Sequence, residues 1–216
     1  MEFTLEKRDN DGLGGLIARP GAYDGEPVIR TLIVGTYPDR VESNLVAVAA
    51  ALAFEAYIED EIRLDLPVTP QVALAIGEFF MPRVVRVPNV DYHPRRLTEG
   101  PGRMTVSWSP EQSFGHQHDA PKLGTFNILL TDTFESPRGF AYKDTVVLPS
   151  NGRVLSPRPP GDSRCLLPEV AAALLIAGEL GVKDIHLTDI SHASDDIHLT
   201  KVRRMLRAVN RELTWS

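Results

Sequence analysis

Pro168-Glu-Val-Ala-Ala-Ala-Leu-Leu-Ile-Ala-Gly-Glu-Leu-Gly181 runs through two residues into Asp184-Ile-His-Leu-Thr188, and this pair of segments decides the fold class. Proline is tolerated in the first turn of a helix, where its missing N–H would have no intrahelical acceptor. Glycine is the residue best suited to the left-handed conformation that ends one. The spacing therefore predicts a helix from Pro168 to about Leu180, a turn at Gly181 and a strand over Asp184–Thr188. Beyond them, Leu199, Val202, Leu206, Val209 and Leu213 recur at three- and four-residue intervals, the pattern of one apolar helix face.

The amino-terminal part repeats this alternation. Val28-Ile-Arg-Thr-Leu-Ile-Val-Gly35 reads as a buried strand, and Asp39 with Glu42 has the spacing of a capping box at the start of a helix. That helix, over about 40–58, is apolar on most faces, so it should be packed on more than one side. A strand over Glu61–Leu66, a helix opened by Thr69-Pro70 and stopped before Pro82, and a strand over Arg83–Val87 follow. Between Tyr92 and Cys165 the texture changes, because 9 of the 17 prolines and 7 of the 16 glycines fall there. Met104–Trp108, Thr125–Thr131 and Thr145–Leu148 nevertheless carry strand patterns. The expected architecture is a single α/β domain over residues 1–216: a mixed or mainly parallel sheet flanked by helices, with 92–165 as a loop-rich β insertion in the middle.

Composition limits the classes of function. A chain of 216 residues with 43% hydrophobic and 24% charged side chains can bury a substantial core. Its net charge of -6 makes general DNA or RNA binding a poor expectation, since such affinity rests on Lys and Arg neutralising phosphates. The acidic excess lies in residues 1–100, with 16 acidic against 10 basic side chains. One basic exception is the final helix, with Lys201, Arg203, Arg204, Arg207 and Arg211; it reads either as a solvated face or as a surface for an acidic partner chain. No apolar run approaches the roughly 18 residues of a membrane span, and the charged start lacks a secretory signal pattern. With a lone Cys165, these features lead to the expectation of a soluble, cytoplasmic protein.

Five of the six histidines fall in two short stretches. The first is Gly115-His116-Gln117-His118-Asp119; in an extended chain, alternate residues share a face, so His116 and His118 could bind one metal ion with Asp119 as ligand or orienting group. Zinc, manganese or iron would suit such ligands. A catalytic zinc needs a third ligand, and His93, His186, Asp189 or His192 would have to supply it. The competing reading is a solvated polar loop. The second stretch runs from His186 to His198, where Asp189 and His192 follow a strand end and could act as a base and its orienting partner. Ser194, Asp195 and Asp196 read equally as the cap of the last helix.

A third candidate is Asp91-Tyr-His93-Pro-Arg95-Arg96, where Arg95 and Arg96 could hold a phosphate or carboxylate in the absence of metal. Nucleotide-cofactor signatures and the serine-hydrolase elbow are missing. Three functional expectations result. One is a metal-dependent hydrolase or related small-molecule enzyme using the His/Asp cluster. Another is a non-catalytic subunit or interaction protein of a larger complex, as a homo-oligomer or hetero-complex. The last is a metal-free anion-binding domain.

Overall fold

The computed structural model describes residues 1–7, 12–35, 42–93, 102–108, 125–132, 140–142, 145–159, 162–188 and 197–215. Their elements form two sheets. The smaller contains β1 (Glu2–Lys7), β2 (Gly14–Arg19), β3 (Thr31–Val34) and the two-residue β4 (Arg63–Leu64), in the order β3-β2-β1-β4. β2 pairs antiparallel with both β1 and β3, and β4 joins β1 in parallel.

The larger sheet contains β5 (Gly102–Ser107), β6 (Thr125–Asp132), β7 (Phe140–Tyr142), β8 (Thr145–Ser150), β9 (Val182–Leu187) and β10 (Glu212–Trp215). Its order is β10-β9-β5-β6-β8-β7. Five strands are parallel, and β7 alone pairs antiparallel, at the edge. The α/β class and the parallel sheet agree with the alternation read from sequence. The β content expected within 92–165 is there as well, and its place is the sheet itself, since β5, β6 and β8 are three of the five parallel strands.

Five helices accompany the sheets among the described residues: α1 (Ser43–Ala53), α2 (Pro70–Phe80), the single-turn α3 (Gly152–Leu155), α4 (Leu167–Glu179) and α5 (Ile197–Arg207). A 3-10 turn over Ser163–Leu166 leads into α4, with Asp162 accepting from the Arg164 backbone N–H. All eleven residues of α1 are buried, which is why its sequence shows no polar stripe. It packs chiefly against α4, and both helices are rich in alanine. Small side chains allow the axes to approach: a Cβ added at Gly178 would lie 2.5 Å from Leu45 Cδ1. α4 also packs on β9 of the larger sheet and on β3 of the smaller one, so one core spans both sheets.

Two further contacts join the sheets. β3 is an edge strand, and the Asn151 side chain satisfies its free edge, accepting from Ile33 N at 2.7 Å and donating to Thr31 O at 2.8 Å. Gly35, just past β3, lies so close to β8 that an added Cβ would be 2.5 Å from Leu148 Cβ and 3.0 Å from its Cα.

Local signals set several boundaries as expected. Thr69 stands at the N-cap of α2 with Pro70 at its first position, and Gly181 takes a positive φ of 63° after α4. Others differ. The strand over 28–35 is shortened to Thr31–Val34 and belongs to the antiparallel sheet. The helix over 40–58 is described from Ser43 to Ala53, with Glu42 as its N-cap; Asp39 lies outside the described residues. Arg83–Val87 forms only an isolated bridge, Glu61 to Arg86. The last helix ends at Arg207, Asn210 turns the chain at a φ of 55°, and Leu213 lies in β10 beside β9.

Packing density separates two glycines. Gly35→Ala forces a methyl into Leu148, including its backbone, and is expected to destabilise the protein by about 1–3 kcal/mol. Gly77→Ala within α2 meets nothing closer than Val85 O at 3.7 Å and should stabilise by about 0.5–1 kcal/mol through helix propensity. Urea midpoints of the two variants check both signs.

Candidate functional site

In open α/β sheets, ligands bind beyond the carboxyl ends of the strands, at the point where strand order reverses. Here the chain builds β5, β6 and β8 to one side and then places β9 and β10 on the other side of β5. The reversal lies between β5 and β9. Their carboxyl ends are hydrogen-bonded neighbours: Val106 pairs with Leu187, and Val106 O accepts from Thr188 N at 3.1 Å.

The candidates read from sequence are related to this point by connectivity. His116, His118 and Asp119 fall in the segment that follows Trp108 at the end of β5, and Asp189 and His192 in the segment that follows Thr188 at the end of β9. All five lie outside the described residues. Arg95 and Arg96 also lie outside them, in the segment that enters β5 at its opposite, amino end. His93 is described; it is exposed, with Nδ1 2.8 Å from Asp91 Oδ1. Among the described residues, no group of three or more His, Cys, Asp or Glu side chains is placed to hold a metal ion.

The two faces of the parallel sheet differ in chemistry. Met104, Val106, Ile128, Leu130, Leu148, Ile185, Leu187 and Leu213 belong to the core that includes α4 and α5. The alternate positions carry a row of polar side chains across all five parallel strands, paired in register as Thr145, Asn127, Thr105, His186 and Thr214. The first four are half-buried and Thr214 is exposed. Parallel strands are ordinarily apolar on both faces, so this polar row is a departure from the usual pattern. Leu129 and Val147 share the polar face and are buried outside the main core.

Within that row, His186 Nδ1 lies 2.9 Å from Thr214 Oγ1. Burial holds the His186 pKa below the usual imidazole value, and the Arg103 guanidinium adds to the effect. One strand step toward the carboxyl edge stand Ser107 and Thr188. On β6 the buried Thr131 hydroxyl has no hydrogen-bond partner among the described residues.

A second cluster gathers at the carboxyl end on the helix-covered side. Trp108 packs against the core after β5, Arg153 of α3 stands 5.5 Å from the centre of its ring, and Glu169 lies in the first turn of α4. Arg153 Nε is 3.9 Å from Glu169 Oε1, an ion-pair distance too long for a hydrogen bond. Burial raises the Glu169 pKa to about 7, against the opposing influence of Arg153. Sequence reading did not single out these residues, since a glutamate in a first helical turn normally reads as a solvated partner of the helix dipole. Only the packing around it reveals its burial.

Several basic side chains of the final segment are engaged within the molecule, while Arg204 is exposed. Lys201 Nζ donates to the carbonyls of Phe79 and Met81 at the end of α2. Arg203 stacks on Trp215 at 3.7 Å and donates to Leu213 O, Arg207 pairs with Glu212, and Arg211 is buried. Compared with protein-family models, curated proteins and solved structures, the chain matches none.

The buried carboxyl has a measurable consequence. Glu169 is protonated in the fold across a range where the unfolded chain has already lost the proton, so its contribution is fully present below pH 4.5 and lost as pH rises toward about 7. Glu169→Gln is expected to match the parent below that window and exceed its stability above it, by on the order of 1–3 kcal/mol. Denaturant melts across the pH range read the crossover. His186 acts in the opposite sense, because its depressed pKa means stability is lost as pH falls through the ordinary imidazole range.

Proposed function

We propose that the protein is a metal-dependent hydrolase or related small-molecule enzyme. Its ligand site would lie beyond the carboxyl ends of β5 and β9. His116, His118 and Asp119 would hold a divalent transition metal, zinc, manganese or iron, and Asp189 and His192 would supply acid–base chemistry. The observation that carries this reading is topological. The two histidine-bearing segments depart from adjacent strand ends on either side of the reversal in strand order. Such a reversal point is where open α/β sheets bind ligands, although the fold alone specifies no reaction. The metal would supply Lewis-acid polarisation of a carbonyl or phosphoryl group.

A second reading, a subunit of a larger complex, draws support from a different surface. A groove along α2 is lined by Leu74, Gly77, Met81, Val85 and Val87, and Leu74 and Met81 are exposed. On the basic helix, Lys201 and Arg203 are engaged within the molecule, while Arg204 and Arg207 are exposed and could meet an acidic partner. The metal-free anion-binding reading rests on Arg95 and Arg96 alone.

Metal content by mass spectrometry on untagged protein, purified without chelator, separates the first reading from the others. Near-stoichiometric transition metal is expected in the parent and lost in a folded His116→Ala/His118→Ala double variant. Absence of metal from both proteins after attempted reconstitution would remove the metal-dependent reading and direct attention to partner capture.

A further inference from the structure

We propose that the Trp108–Arg153–Glu169 cluster binds a small oxyanion on the guanidinium of Arg153, with Glu169 as the competing internal anion. This proposal is independent of the metal reading, because all three residues lie on described elements and no histidine takes part. Three separate elements build the cluster: the end of β5, the turn of helix after β8, and the first turn of α4. Its geometry is constrained by close packing at Gly152, where an added Cβ would lie 3.1 Å from Pro168 O and 3.3 Å from Glu169 N. Arg153 therefore projects from a backbone held against the start of α4.

The two charged partners differ sharply in environment. Arg153 is 61% exposed and Glu169 16% exposed. A guanidinium over an indole keeps its outer edge available, and its planar donors suit carboxylate or phosphate oxygens. Its one internal counter-charge among the described residues is the mostly buried Glu169, at the long distance of 3.9 Å.

Among the described residues, Arg164 and Arg158 are committed elsewhere. Arg164 is bound by Asp162, and Arg158 donates to Glu55. When Glu169 carries a proton, the charge of Arg153 is left for an external anion; when Glu169 ionises, the two compete. Burial places that exchange near neutral pH. Among the elements packed on α4, α1 and β3 contain no titratable side chain. The 3-10 turn carries Arg164 and Cys165, and β9 carries Lys183 and Asp184 toward its amino end and His186 on the polar face away from α4. Among the described residues, Arg153 is thus the charged group that bears on Glu169.

Sulfate is a suitable probe, since its charge is constant across the relevant range. In the full-length protein, the Trp108 indole N–H resonance, assigned with Trp108→Phe, is expected to shift saturably with sulfate at about pH 6 and to need roughly fivefold more at about pH 8.5. Arg153→Met should abolish the shift, and Glu169→Gln should keep it while removing its pH dependence. Arg153 is mostly exposed, so its variant is expected to remain folded, as dispersion in the rest of the spectrum would report. Titrations with inorganic phosphate and with acetate distinguish a tetrahedral from a carboxylate oxyanion. The proposal is overturned by a shift that does not saturate, by an equal response to chloride, by persistence in Arg153→Met, or by an unchanged pH dependence in Glu169→Gln.

Discussion

The close approach of α1 and α4 is the constraint on which the rest of the structure depends. Two helices can approach this closely only where small residues face one another, and the Gly178–Leu45 contact and the alanines of both helices provide that space. Because α1 is buried on every side, it cannot move without opening the core. Because α4 touches both β9 and β3, the same pair holds the antiparallel and parallel sheets in one unit. Asn151 and Gly35 then complete the junction, one by satisfying the edge of β3 and the other by allowing it to lie on β8.

This arrangement explains the unequal faces of the larger sheet. The core lies to one side, and the alternate positions of the same strands carry Thr, Asn and His. Alternation of this kind is usual for antiparallel strands with one solvated face, whereas these strands are parallel. The polar row leads along β5 and β9 to the strand ends where order reverses, so sheet chemistry and topology indicate the same edge of the molecule.

Charge is distributed with similar economy. Glu55 is shared by Arg83 and Arg158, Lys201 caps α2, and Arg203 lies on Trp215. Lys201 thereby ties the carboxyl-terminal segment to the end of α2, while Arg203 is engaged within that segment. Glu169 and Arg153 depart from this tight pairing, with a buried carboxyl and an exposed guanidinium separated by 3.9 Å.

Much of the fold was legible locally. Pro70, Pro168 and Gly181 mark helix boundaries through backbone restrictions that act without help from the rest of the chain. The apolar character of most faces over Leu45–Phe54 announced a helix packed on more than one side. The histidine clusters were equally visible, as was the position of Asp189 and His192 after a strand end, because side-chain type and order along the chain are properties of sequence. Sheet membership was not legible: β3 reads like β9, yet one joins an antiparallel sheet and the other a parallel one, since pairing depends on which edge is available. Leu213 fits a helical period but lies in a strand because the edge of β9 offers it hydrogen bonds. The raised pKa of Glu169 and the adjacency of β5 to β9 likewise exist only in three dimensions, for burial and strand order are set by packing between distant segments. The sequence by itself determined the main helices, part of the strands and the residue types available for chemistry; tertiary structure decided the remaining strands, which strand ends meet and which charges lose their water.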